Sequence, residues 1–269
     1  MNHPSCHLLL TNGRTGSNFI RTLIQSHPQM MNYGEVLGPW TPYYKMLRSR
    51  FRFFHDNAEY IEWILHSRTL FEIMQLYYSS SGMVKRLSGY QITGRKSWKN
   101  LVSIGIKEFY TNLQPHGCLS ALLGEGRMHL IALVRNNTLQ RYVSWMAAEE
   151  TGVWVTQRAS SPIRIKIDID HMMNNLPGLE EEKQGVIDTW RRYSGPKILI
   201  EYEKMFADPL CTEQIKRNII GFLHAKALPV VSGCRKILPE RLDQKVLNYE
   251  AMQRALASSP FNQFLDPAV

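Results

Sequence analysis

Two rhythms of apolar and polar residues alternate along this chain. Short, nearly continuous apolar runs predict buried strands at His7–Thr11, His129–Val134 and Lys197–Tyr202. A shorter strand is expected within Pro28–Glu35, ending in Tyr33-Gly34-Glu35, and another at Gly89–Lys96, where Tyr90, Ile92 and Gly94 alternate with Gln91 and Thr93. Longer amphipathic stretches predict helices at Gly16–Ser26, Ala58–Tyr78, Thr138–Glu150, Asp208–His224 and Leu247–Leu256; in Ala58–Tyr78 the apolar positions include Ile61, Ile64, Leu65 and Ile73. Ile163, Ile165, Ile167 and Ile169 alternate with Arg164, Lys166, Asp168 and Asp170, the period of a half-exposed strand or an extended lid. Runs that alternate in this way describe βα units around a parallel sheet, an α/β fold. No repeats or low-complexity tracts interrupt them, so residues 1–269 read as a single domain.

Composition narrows the class. At 44% hydrophobic and 20% charged, the chain is an ordinary globular protein. Its net charge of +9 favours an anionic partner, such as a nucleotide, a nucleic acid or an acidic glycan. The basic residues are scattered apart from Arg48-Ser49-Arg50-Phe51-Arg52, and no nucleic-acid motif accompanies them, so nucleic acid is not expected as a partner. The four cysteines, Cys6, Cys118, Cys211 and Cys234, have no paired spacing. That argues against a zinc site and against a disulfide scaffold, and it fits a reducing, cytoplasmic setting. No apolar run approaches a membrane span. Leu8-Leu9-Leu10 is too short for a signal core and gives way at once to Thr11-Asn12-Gly13-Arg14.

The chemistry concentrates after the first strand, in Asn12-Gly13-Arg14-Thr15-Gly16-Ser17-Asn18. A strand, a glycine-bearing turn and a helix N-terminus direct backbone N–H groups and partial positive charge at an anion. Gly13 and Gly16 allow close approach and positive φ, Ser17 and Asn18 offer side-chain donors, and Arg14 brings a planar cation suited to phosphate or sulfate oxygens. By itself the loop is also consistent with a plain βα turn. A P-loop kinase or NTPase, the competing enzyme class, needs a lysine directly after the second glycine. Ser17 stands there instead, with Arg14 ahead of the glycine. A non-enzymatic nucleotide-binding protein is the third class.

Gly13-Arg14-Thr15-Gly16-Ser17, followed by a helix ending Ser26-His27-Pro28, resembles the 5′-phosphosulfate loop of the sulfotransferases that use 3′-phosphoadenosine-5′-phosphosulfate (PAPS). The likeness is greatest to the bacterial carbohydrate and glycolipid type, which has arginine where cytosolic animal enzymes have lysine. A second element, Leu133-Val134-Arg135 followed by Arg141-Tyr142-Val143-Ser144, resembles the family's 3′-phosphate site, an arginine at a strand end with a serine in the next helix. Asn136 stands where bacterial relatives often carry a second basic residue, so the share between Arg135 and Arg141 stays open. Gly94-Arg95-Lys96, Ile198–Pro209 and Asn248-Tyr249-Glu250 extend the likeness over nearly the whole chain, and Arg235-Lys236 resembles a basic loop, near 234–237, that closes over the nucleotide.

The resemblance implies a three-layer, P-loop-like fold and metal-free sulfuryl transfer, with PAP as product. It implies that Arg14, Thr15, Gly16, Ser17 and Asn18 hold the 5′-phosphate and the sulfuryl group, and that Glu35 removes the acceptor's proton. A free glutamate has a pKa of about 4.3, so the base would need a tuned environment. Lys96 is a candidate to stabilise the transferring group; His116 and His55 are weaker base candidates. The acceptor is read as a hydroxyl, or an amine, of a carbohydrate, a glycolipid or a small polar natural product. Glu149 and Glu150, ahead of Thr151-Gly152-Val153-Trp154, raise the alternative of a cationic, guanidinium-bearing acceptor. Trp40, Trp145 and Trp154 could stack on a sugar or belong to the core. No interface signature stands out; a homodimer is compatible with the sequence.

Overall fold

Strand β1 (Ser5–Thr11) is flanked on both sides, by β3 (Ser103–Phe109) and by β4 (His129–Val134), and every pairing in the sheet is parallel. With β2 (Met30–Asn32) beside β3 and β5 (Lys197–Glu201) beside β4, the order is β2-β3-β1-β4-β5. The computed structural model describes residues 3–39, 41, 44–45, 54–76, 95–154, 164–232, 234 and 241–265.

Alternation within the strands sends side chains to two cores. Leu8 and Leu10 join Ile104, Ile106 and Leu130 on one face, packed against Tyr60, Ile61, Ile64 and Leu65 of α2 (Asn57–His66). Leu9 joins Ile131 and Leu133 on the other, against Ile20, Leu23 and Ile24 of α1 (Ser17–Ser26). Both faces of the sheet are therefore covered, as an all-parallel sheet requires. Each fully buried Leu or Ile contributes about 1.5–3 kcal/mol, so α1 is held by its apolar face. Its N-terminus carries no side-chain cap and no acidic residue.

The helices expected at Thr138–Glu150, Asp208–His224 and Leu247–Leu256 are present. The stretch expected as one helix from Ala58 is broken at Ser67, with a second helix, α3, over 68–76. Two short helices, α4 (Tyr110–Leu113) and α5 (Cys118–Leu123), lead from β3 to β4, and α6 (Thr138–Thr151) follows β4. The expected isoleucine strand is different in form. Ile165 makes one bridge, to Val246, and Ile169 opens a long helix, α7 (Ile169–Arg192). After β5 come α8 (Tyr202–Met205), α9 (Pro209–Phe222), α10 (Leu242–Lys245) and α11 (Tyr249–Leu256). Ile165 and Ile167 bury into a third cluster with Leu139, Tyr142, Met172 and Met252. Of the strand expected at Gly89–Lys96, residues 89–94 lie outside the described residues, and Arg95 and Lys96 are irregular. The strand that lies against β1 is Ser103–Phe109. No described helix is long and apolar enough to cross a membrane.

Candidate active site

The five strands among the described residues all run the same way, so their carboxyl ends share one edge. Adjacent β1 and β4 bring the loop after Thr11 and the residue after Val134 together there, where open α/β sheets place ligands. The Thr11 hydroxyl ties the two strands, donating to Leu133 O at 3.1 Å.

The loop is held by its carbonyls. Asn12 O accepts from the Thr15 hydroxyl at 2.9 Å, Gly13 O from Arg141 Nε at 2.9 Å, and Arg14 O from Arg135 Nη1 at 3.3 Å. A trans peptide points its N–H opposite its C=O, so the amides of Gly13, Arg14 and Thr15 face the other way. Among the described residues, none of the amides from Gly13 to Gly16 donates to a protein acceptor. Positive φ falls at Arg14 (64°) and Gly16 (82°), while Gly13, which would permit it, does not use it. For Arg14 this left-handed conformation costs about 1–2 kcal/mol, held by the bonds above. At Gly16 a Cβ would also meet the Tyr202 ring at 3.0 Å.

Two guanidinium groups converge on the loop. Arg14 Nε donates to Ser144 Oγ at 3.1 Å and Nη1 to Trp154 O at 2.6 Å. Arg135 is buried, stacked 4.3 Å over the Tyr202 ring and bonded to Gln140 Oε1 at 3.0 Å, and its buried Nε has no partner among the described residues. Neither forms an ion pair with a carboxylate among the described residues. Burial first pulls both below the ordinary arginine pKa, helped at Arg14 by repulsion from Arg135 and at Arg135 by repulsion from Arg141, with Tyr202 and Glu203 pulling Arg135 the other way. An anion between them would relieve that cost.

Arg141 is committed elsewhere. Its nitrogens bond Gly13 O, Leu179 O at 3.0 Å and the Glu182 carboxylate, which fixes the loop against α7. Thr15 is buried with its hydroxyl spent on Asn12 O and Thr11, so any contact with an anion falls to its backbone. Ser17 is buried and Asn18 half-buried in the first turn of α1.

Glu35, after β2, reaches the same edge. Its carboxylate pairs with the Lys107 ammonium of β3, and Lys107 is itself 1% exposed and 4.2 Å over the Phe109 ring. Burial holds Lys107 below the usual lysine range, with Glu35 pulling the other way. Next to it, buried Glu108 accepts from the Val36 and Leu37 amides at 2.5 and 2.7 Å, which sets the turn that carries Glu35. Lys107, Glu108 and Tyr202 were not singled out from the sequence. A Lys-Glu pair ending the Ile104-Gly105-Ile106 run was the available signal for the first two.

Lys96 does not join this group. Its ammonium bonds Gln25 O at 2.6 Å and Met30 O, where α1 ends and β2 begins. Met30 pairs with Ser103, at the amino edge of the sheet. The length of β1 separates that edge from the loop, about 20 Å at about 3.3 Å per residue. Lys96 is thus a buried cap for stray carbonyls, not a group that faces the loop. His55 is exposed and pairs with Glu59 at the start of α2. The side chain of His116, and all of Trp40, Arg235 and Lys236, lie outside the described residues. Trp154 is half-exposed with its ring 6.0 Å from the Arg14 guanidinium, and Trp145 donates to Glu149 at 2.8 Å.

No protein-family model matches the chain. Two curated relatives, both Nodulation protein H, from Rhizobium meliloti and from its strain 1021, are each 22% identical. Each alignment covers 98% of this chain and 96% of the relative. The crystal structure of a sulfotransferase from Alicyclobacillus acidocaldarius aligns over 98% of this chain and 95% of its own, with 15% identity and a TM-score of 0.43. The chain is thus similar from end to end to the nodulation proteins, and its two basic elements gather at the carboxyl edge of β1 and β4.

Proposed function

We propose that the chain transfers the sulfuryl group of PAPS to a hydroxyl of a carbohydrate, glycolipid or small polar natural product. The observation that carries this reading is the row of N–H groups from Gly13 to Gly16 that meet no protein acceptor among the described residues, with two arginines beside them that meet no carboxylate among those residues. Those donors suit the 5′-phosphate and the sulfate oxygens, where charge builds as the bond to the leaving phosphate breaks. Ser17 and Asn18 add to them from the first turn of α1. Arg135 and Ser144 suit the 3′-phosphate, and Arg141 supports the loop from behind. Arg235 and Lys236 are proposed to close over the nucleotide.

In the transfer, the acceptor oxygen forms a bond to sulfur while the bond between sulfur and the phosphate oxygen breaks. Glu35, oriented by Lys107, takes the acceptor's proton. None of these steps calls on a metal ion. A cationic, guanidinium-bearing acceptor remains the alternative: Glu149 and Glu150 are exposed at the end of α6, and Trp145 donates to one oxygen of Glu149.

Thermal shift with PAP, AMP, ATP, and ATP with magnesium tests the donor. Selective stabilisation by PAP without metal is expected, and indifference to PAP would overturn the reading.

A further inference from the structure

We propose that His3, Cys6 and His66, with the Glu62 carboxylate beside them, form a zinc-type metal site at the amino edge of the sheet. The ligand atoms of the first three lie within 4.8 Å of one another. Cys6 Sγ is 4.0 Å from His66 Nε2, and Glu62 Oε2 is 3.4 Å from that same nitrogen. Around a tetrahedral zinc, with bonds of about 2.0–2.3 Å, neighbouring ligand atoms sit about 3.3–3.8 Å apart. The cluster therefore needs to close by roughly an ångström at its widest. His3 and His66 are exposed enough to move that far.

Three further features fit coordination. His3 Nδ1 donates to Pro4 O at 2.7 Å, which fixes the tautomer and leaves Nε2 as the free lone pair, the arrangement that orients ligating histidines. His66 is the last residue of α2, so a cation there meets the negative end of the helix dipole. His66 Nε2 is the common neighbour of Cys6 Sγ and Glu62 Oε2, which centres the cluster on one ring nitrogen. Burial keeps the Cys6 thiol protonated, which opposes coordination, so the metal–sulfur bond forms only as the metal displaces the thiol proton to solvent. Arg127 opposes a cation at His66 but is itself paired with Glu125.

One thiolate, two imidazoles and a carboxylate suit zinc and its neighbours rather than magnesium or calcium. Glu62 stands outside the three-residue cluster and completes the tetrahedral sphere by swinging its exposed side chain inward; with it in place the site is closed and its role is structural. The metal would fasten the start of β1 to the end of α2, next to the break at Ser67. This edge lies the length of β1 from the loop at Gly13, so the site is separate from sulfuryl transfer.

The test uses the full chain, reduced and stripped with a chelator, titrated with Co²⁺ and followed by absorption. One equivalent should bind with a thiolate-to-cobalt charge-transfer band, Zn²⁺ should displace it, and Zn²⁺ but not Mg²⁺ should raise the melting temperature. Cys6→Ser should lose the band, and His3→Ala, at an exposed position that leaves the fold intact, should lose tight binding. No band in the wild-type chain, or undiminished binding in His3→Ala, would show that the His3, His66 and Trp98 rings merely stack and would overturn the proposal.

Discussion

Arg14 Nε donates to the Ser144 hydroxyl at 3.1 Å, across 130 residues of chain. The bond joins the loop after β1 to the helix after β4, so the residues proposed for the 5′- and the 3′-phosphate are in direct contact. The Arg14 guanidinium also holds Trp154 O, and a bound donor would compete for those same nitrogens.

Replacing Arg14 should therefore cost donor affinity and rate together. A hydrogen bond to a charged group contributes about 1.5–3 kcal/mol, so Arg14→Ala is expected to weaken PAP binding by about tenfold to a hundredfold. Calorimetry checks this, and unchanged affinity removes Arg14 from the site.

Arg135 is the group proposed for the 3′-phosphate. Arg135→Gln should narrow the preference for PAP over AMP, which lacks that phosphate, while leaving AMP affinity nearly constant. Parallel titrations with the two nucleotides read the difference, and an equal loss for both would remove Arg135 from the 3′-phosphate.

Glu35 is expected to act on rate alone. Glu35→Gln should lower turnover by about 10²–10⁴-fold, the usual contribution of a general base, with PAP affinity retained. Near-normal steady-state rates in this variant would rule the carboxylate out as the base.

Lys96 makes a prediction about pH. Burial lowers its pKa from 10.5 to about 7, so between those values the unfolded chain binds more protons than the folded one. Stability should rise with pH across that window. Each kcal/mol moves the melting temperature by about 2–4 °C. Lys96→Met should flatten the rise between pH 7 and 10, and an unchanged slope would contradict the assignment.

Gly105 is required by contact with its neighbour strand. A Cβ there would lie 2.1 Å from His7 O, a backbone atom that cannot move aside. Gly105→Ala should lower stability by about 3 kcal/mol or more, read from the denaturant midpoint.

The sequence by itself determined the units whose signals are local. Leu8–Thr11 followed by the Gly13–Asn18 turn, and Leu130–Val134 followed by Arg135 and α6, are legible because apolar runs and turn residues act on their near neighbours along the chain. The same locality hid β3, since Gly105, Lys107 and Glu108 break its apolar run. Gly105 answers to His7 on β1, Lys107 to Glu35 after β2, and Glu108 to the amides of Val36 and Leu37. It also hid α7, where Pro177 stands inside a helix that buries Met172, Leu176 and Val186. Only the tertiary structure decided that Arg14 meets Ser144, that Arg141 braces the loop from behind, and that Lys96 and the His3–Cys6–His66 cluster lie at the far edge. Those meetings depend on strand order and on which end of each strand a residue occupies, and periodicity along one chain carries neither.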